Sequence, residues 1–160
     1  MKAVRIFFDT NVLVYAHDES SSFHVEAATL IDIALEENEI QGVIAEQNLI
    51  ELYRILTNST IMTSEPLTPN EAKDLINETY LNGSFELVYP TKLTLNKTLE
   101  LVGTRNAVSA RIFDLRLATL ILKAKVNYFA TYNARDFQNI QGILPLTPNE
   151  ILAAIAHKIS

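Results

Sequence analysis

Five short apolar runs, VRIFF at 4–8, GVIA at 42–45, FELVY at 85–89, VNYFAT at 126–131 and GILPL at 142–146, are separated by stretches with helical periodicity. Runs this short that are largely apolar suit strands buried on both faces, and such strands occur mainly in parallel sheets covered by helices. The rhythm is βαβ. It predicts an α/β fold: a three-layer α/β/α sandwich around a central, mostly parallel sheet of four to five strands. At 160 residues the chain fits one domain spanning 1–160, with no linker or low-complexity stretch to divide it.

The intervening segments carry helix signals. Ala27, Leu30, Ile31, Ala34 and Leu35 share one face, preceded by Ser20, Ser21 and Ser22 as candidate N-caps and followed by Asn38 as a stop. The pentapeptide LTPNE occurs at 67–71 and again at 146–150. It reads as punctuation rather than as a repeat. Thr68 and Thr147 are placed as N-caps, Pro69 and Pro148 at the first helical position, and Glu71 and Glu150 three residues after the cap to close a capping box. One helix then runs through Ala72, Leu75, Ile76 and Tyr80, another through Ile151, Leu152 and Ile155.

The chain has no cysteine, which removes disulfides, thiolate zinc sites and a cysteine nucleophile, and suits a reducing compartment. No apolar run approaches the roughly 18 residues of a membrane helix, and no signal-peptide pattern opens the chain, so a cytoplasmic protein without a membrane partner is expected. The net charge of −6 is unevenly spread. Residues 1–51 sum to −8 and residues 92–135 to +6, so an acidic chain can still present a basic face to RNA. The same cations also suit ordinary solvated helix surfaces.

Four carboxylates far apart in sequence each sit in or directly after an apolar run: Asp9, Glu51, Asp114 and Asp136. Asp9 follows the first strand directly, which places it at the carboxyl edge of the sheet, where ligands bind in open α/β folds. It is equally placed to cap the short helix that begins near Asn11. Asp136 holds the equivalent position beyond the fourth run, although Asn133 and Asp136 also read as an ordinary polar turn. Asp114 shares a helix face with Leu117, Ala118 and Ile121, so it points toward the sheet and needs a partner, either a cation or Arg111 at i−3. Glu51 lies on a polar face and gains meaning only in company. If the four acids meet, their mutual repulsion calls for a divalent ion, and hard oxygen donors select Mg²⁺ or Mn²⁺.

The segments FFDTNVLVYA, NLIELYRILTN, RIFDLRLATLI and YFATYNARDF, in this order, resemble the four acidic motifs of the PIN domain. The likeness spans nearly the whole chain and is greatest to the single-domain VapC-type toxins of toxin–antitoxin pairs. The resemblance implies that Asp9, Glu51, Asp114 and Asp136 are catalytic and hold or orient the metal, with Thr10, Asn11, Thr131 and Asn133 behind them. One departure stands out. Many members carry an Asp two residues after the Thr of the last motif, where this chain has Asn133, which shifts the fourth acid's role to Asp136. Glu46 competes with Glu51, and spacing within the motif favours Glu51.

The function that follows is metal-dependent hydrolysis of RNA phosphodiester bonds by the toxin of such a pair. Arg54, Arg105, Arg111 and Arg135 are candidate phosphate contacts. His17 and His24 have no paired acid at triad spacing and are not expected to act as bases. The resemblance also implies a homodimer and an antitoxin protein as partners; Tyr53, Leu56, Ile61, Met62, Tyr80 and Leu81 either face such partners or pack inside. Two alternatives compete: an inactive PIN-like module that binds RNA or protein, and a Mg²⁺-dependent phosphatase of the haloacid-dehalogenase type. The latter requires a second Asp two residues after the first, where Asn11 stands.

Overall fold

A computed structural model describes residues 3–158. Strands β1 (Val4–Phe8), β2 (Ile40–Ala45), β3 (Glu86–Val88), β4 (Tyr128–Ala130) and β5 (Pro145–Leu146) form one sheet in the order β3-β2-β1-β4-β5. Every pairing is parallel, with Ile6 opposite Gly42 on one side and Tyr128 on the other. The helices are α1 (Thr10–His17), α2 (His24–Glu36), α3 (Glu46–Leu56), α4 (Pro69–Ile76), α5 (Lys92–Arg105), α6 (Arg111–Ala124), α7 (Ala134–Phe137) and α8 (Pro148–Ile155).

β1 is central, and its side chains feed two cores because successive residues point to opposite faces. Ile6 and Phe8 join Leu13, Leu30, Ile44 and Ile151 on the face covered by α1, α2 and α8. Phe7 joins Val43, Phe129, Leu115, Ala118 and Ile121 on the face covered by α6. Burying one such side chain contributes about 1.5–3 kcal/mol, so the four apolar residues of β1 anchor both layers while Arg5 pairs with Glu86 at 2.7 Å. The expected α/β/α sandwich is therefore present, with five strands.

Both LTPNE segments form the capping boxes read from the sequence: Thr68 accepts from the Glu71 N–H and Thr147 from the Glu150 N–H, while each Glu reaches back to its cap's own N–H. Beyond α4 the chain winds on as a π turn over Asn77–Leu81, which carries Tyr80 into the core to meet His17 Nε2 at 2.7 Å. The Ser20–Ser22 cap does not form. Phe23 occupies the N-cap of α2, and its N–H donates to Ser21 Oγ, because a tight turn already commits the His24 N–H to the Ser21 carbonyl.

The outer strands are shorter than their apolar runs. β5 keeps two residues of GILPL, with Pro145 tolerated at the sheet edge where one side needs no donor. At Gly42 a Cβ would stand 2.5 Å from the Phe85 ring, so the glycine admits that aromatic against β2. α5 is unusual. Its buried residues are Thr94 and Thr98, the latter bonded to Thr119 of α6 at 2.9 Å, while Leu93, Leu95 and Leu99 face outward. No helix among the described residues is long and apolar enough to cross a membrane.

Candidate metal centre

The strand order reverses direction between β1 and β4. The α1–α2 connection leaves β1 over one face, whereas α5 and α6, which lead into β4, belong to the other. The crevice beyond the carboxyl ends of two such strands is where open α/β sheets bind ligands. Asp9 is the first residue past β1 and Thr131 the first past β4.

Hydrogen bonds tie these ends together. Asp9 caps α1, its Oδ1 accepting from the Thr10 N–H at 2.8 Å, while its Oδ2 accepts from Thr131 Oγ1 at 2.7 Å. Thr131 Oγ1 in turn accepts from the Asn133 N–H at 2.9 Å, and Asn11 Oδ1 from the Tyr132 N–H at 3.4 Å. Asp9 thus does both jobs the sequence left open, helix cap and sheet-edge carboxylate. On the other side, Thr10 Oγ1 donates to Glu51 Oε2 at 2.8 Å, which draws α3 onto the start of α1.

Burial is the main reason the Asp9 carboxyl is pushed up to about 6. The bonds from Thr131 and Thr10 pull it back, and the charges of Glu51 and Asp114 raise it further. Glu51 and Asp114 therefore both lie close enough to Asp9 for their charges to reach it at the sheet edge. Asp114 sits in the first turn of α6 with its side chain 40% exposed, paired to Arg111 at 3.0 Å. Leu117, Ala118 and Ile121 below it are buried as expected, but the first helical turn projects past the core and leaves Asp114 at the rim.

Among the described residues no three His, Asp or Glu side chains converge as ligands of a single ion. The donor chemistry nonetheless fits a hard divalent cation. The coupled groups are all carboxylates, and Asp9 is raised in pKa with no basic side chain among the causes. Mg²⁺ retains several waters, so it needs few direct protein ligands.

Asp136 stands apart. It lies exposed in the first turn of α7, and its side chain makes no hydrogen bond or ion pair among the described residues; its carbonyl accepts from Arg111 Nη2 at 2.6 Å. Asn133 is the N-cap of α7 and joins the network through its N–H. Of the candidate phosphate contacts, Arg111 bridges Asp114 and the Asp136 carbonyl, Arg105 donates to the Asn139 carbonyl, and Arg54 and Arg135 are exposed. Glu46 is exposed on the first turn of α3, whereas Glu51 receives the Thr10 hydroxyl. His17 is taken up by Tyr80 and His24 by the Tyr15 carbonyl, so neither histidine faces the acids through a hydrogen bond.

Sequence reasoning missed Asn48. Fully buried, it accepts from the Ala45 N–H at 2.9 Å and donates to Thr10 Oγ1 at 2.9 Å. It is the third residue of α3, and a polar side chain there reaching back to the N-cap N–H is half of a capping box. That position was the available signal.

The PIN domain family model matches residues 5–135. Ribonuclease VapC24 of Mycobacterium tuberculosis is 32% identical over 136 residues, covering 81% of this chain and 86% of the relative. Solved structures share the fold at lower identity. VapBC2 from Rickettsia felis, bound to a DNA fragment from its promoter, superposes with a TM-score of 0.63 at 14% identity, covering 90% of this chain and 98% of that one. Mycobacterium tuberculosis VapC20, a Sarcin-Ricin loop cleaving toxin, gives 0.62 at 13% identity over 82% and 92% of the two chains. The matched residues run from β1 into the first turn of α7 and contain Asp9, Glu51 and Asp114, and on that ground the chain belongs to the PIN domain family.

Proposed function

We propose that this protein is a metal-dependent endoribonuclease that hydrolyses RNA phosphodiester bonds and serves as the toxin of a toxin–antitoxin pair. The observation that carries the reading is the gathering of acids at the β1/β4 edge: Asp9 bonded to Thr131 and Thr10, Glu51 bonded to Thr10, and Asp114 near enough for its charge to raise the Asp9 carboxyl. The relative's name, a ribonuclease at 32% identity, points the same way, and divalent-metal dependence is general in the family. Asp9, Glu51 and Asp114 would hold Mg²⁺ or Mn²⁺ directly or through its waters, with Asp136 completing the acidic rim, and Thr10, Asn11, Thr131 and Asn133 orienting them. When bound, the cation lowers the pKa of a coordinated water and neutralises charge on the attacked phosphate. Arg111 stands between two motifs, where it can steady an RNA phosphate, and Arg54, Arg105 and Arg135 serve outer phosphates.

The decisive experiment incubates the purified protein with structured RNA and Mn²⁺. Cleavage by the wild type and its loss in Asp114→Asn are expected; cleavage undiminished in that variant overturns the assignment.

A second reading, binding without cleavage, draws on Asn133 in place of an acid and on the Arg111–Asp114 ion pair. RNA retention on a filter, with no cleavage at saturating Mn²⁺, would favour it. Partners follow from the first reading: a homodimer and a cognate antitoxin. Tyr53, Ile61 and Leu81 are exposed and available to them, whereas Leu56, Met62 and Tyr80 are core. A short adjacent reading frame encoding a basic, DNA-binding N-terminus is the expected genetic signature of the antitoxin.

A further inference from the structure

The orientation of Asn48 is dictated by its neighbours. The Ala45 N–H can only donate, so the amide oxygen of Asn48 must face it and the NH₂ must face Thr10. Thr10 Oγ1 therefore accepts from Asn48. Its single proton has one remaining partner, Glu51 Oε2. The chain Ala45 N–H, Asn48, Thr10, Glu51 consequently has one possible direction, and it ends on a carboxylate that must accept.

Glu51 is otherwise an exposed side chain with no second hydrogen bond among the described residues. The Thr10 bond is the contact that holds it at the crevice, and Asn48 is what aims that bond. We infer that Asn48 is a positioning residue of the metal centre: through Thr10 it fixes Glu51 as an acceptor facing the cation. This rests on the metal-dependent reading above. Groups standing behind metal ligands affect affinity by about 10–100-fold when removed.

Asn48→Asp gives a test in which two explanations have opposite signs. The new carboxylate keeps the Ala45 bond but presents an acceptor to Thr10, whose proton turns away from Glu51. Coulomb attraction alone would make this variant bind a cation more tightly. The relay requires weaker binding, by roughly tenfold in Mn²⁺ dissociation constant, measured by calorimetric titration without RNA. Thr10→Val should weaken Mn²⁺ similarly, Thr10→Ser should bind as the wild type does, and the Asn48→Asp/Thr10→Val double variant should be no weaker than the worse single one. Mn²⁺ binding by Asn48→Asp as tight as wild type or tighter overturns the relay, as do losses that multiply in the double variant. If Asn48→Asp does not fold, the Thr10 pair carries the test, and equal affinity for Val and Ser overturns it.

A wild type that binds no Mn²⁺ would defeat the metal assignment instead. The relay is then read from melts of the metal-free protein, where the two substitutions should each lower Tm and the double variant should lose no more than the larger single loss; additive losses overturn it.

Discussion

The Thr131 hydroxyl donates to Asp9 Oδ2 at 2.7 Å, so the residue that follows β4 holds the residue that follows β1. This bond lowers an Asp9 pKa that burial and two neighbouring acids raise. Thr131→Val keeps the shape and removes the donor. The Asp9 pKa should then rise above its present value of about 6, and the pH at which Mn²⁺ binding is half-developed should move up with it, read from titrations between pH 5 and 8.

Asp9→Asn isolates the cost of the charge. Burial pushes the native carboxyl up to about 6 from its ordinary value of 3.8, so between those values the native protein holds the extra proton. Stability from this group therefore falls as pH rises from about 4 to 6 and stays low above, by at most about 3 kcal/mol. Asp9→Asn should raise the metal-free Tm at pH 7.5 by roughly 5 °C and abolish any further rise on adding Mn²⁺, which scanning calorimetry would show.

His17 works in the opposite direction. Burial, with the nearby His24, holds it down to about 4 from 6.5, so stability is fully present above 6.5 and is lost as pH falls toward 4. Between pH 6 and 4 the Asp9 and His17 slopes oppose each other. Urea melts of Asp9→Asn should lose stability steeply over that range, whereas His17→Phe should gain stability as pH drops. At neutral pH His17→Phe should cost about 1–3 kcal/mol, because the buried Tyr80 hydroxyl loses its partner.

Arg111 pairs with Asp114 and also grips the Asp136 carbonyl, tying α6 to α7. The pair is partly exposed, so Arg111→Ala should cost no more than about 1 kcal/mol. Removing a cation that competes for Asp114 should make Mn²⁺ bind severalfold more tightly, while the KM for RNA rises. A parallel loss of both would mean that Arg111 acts only as a brace.

Much of this architecture was legible because local signals and tertiary needs agree. β1 is apolar at every position but Arg5 because it feeds two cores, and both LTPNE segments start helices because the threonine takes the glutamate N–H, the glutamate takes the threonine N–H and the proline has none to satisfy. Where neighbours decide, the sequence is silent. The Ser20–Ser22 cluster looks like a cap, yet a backbone turn takes its place. Asp114 has the spacing of a buried residue, but position within the first turn of α6 puts it at the rim. Asp9 and Thr131 are 122 residues apart, and only the β1/β4 pairing makes their bond possible. Asn48 looked ordinary on a polar helix face because its partners, Ala45 and Thr10, are brought to it by β2 and α1.

The inward threonines of α5 have a kinetic consequence. A helix that buries Thr94 and Thr98, keeps Leu93, Leu95 and Leu99 in solvent and packs Leu101 and Val102 only partly against the core exposes limited new apolar surface when it lifts from α6. Its local opening free energy should lie well below that of the sheet. Native-state hydrogen exchange would then release the α5 amides as one early group while those of β1 wait for global unfolding, so this layer of the sandwich can breathe without disturbing the acids at the sheet edge.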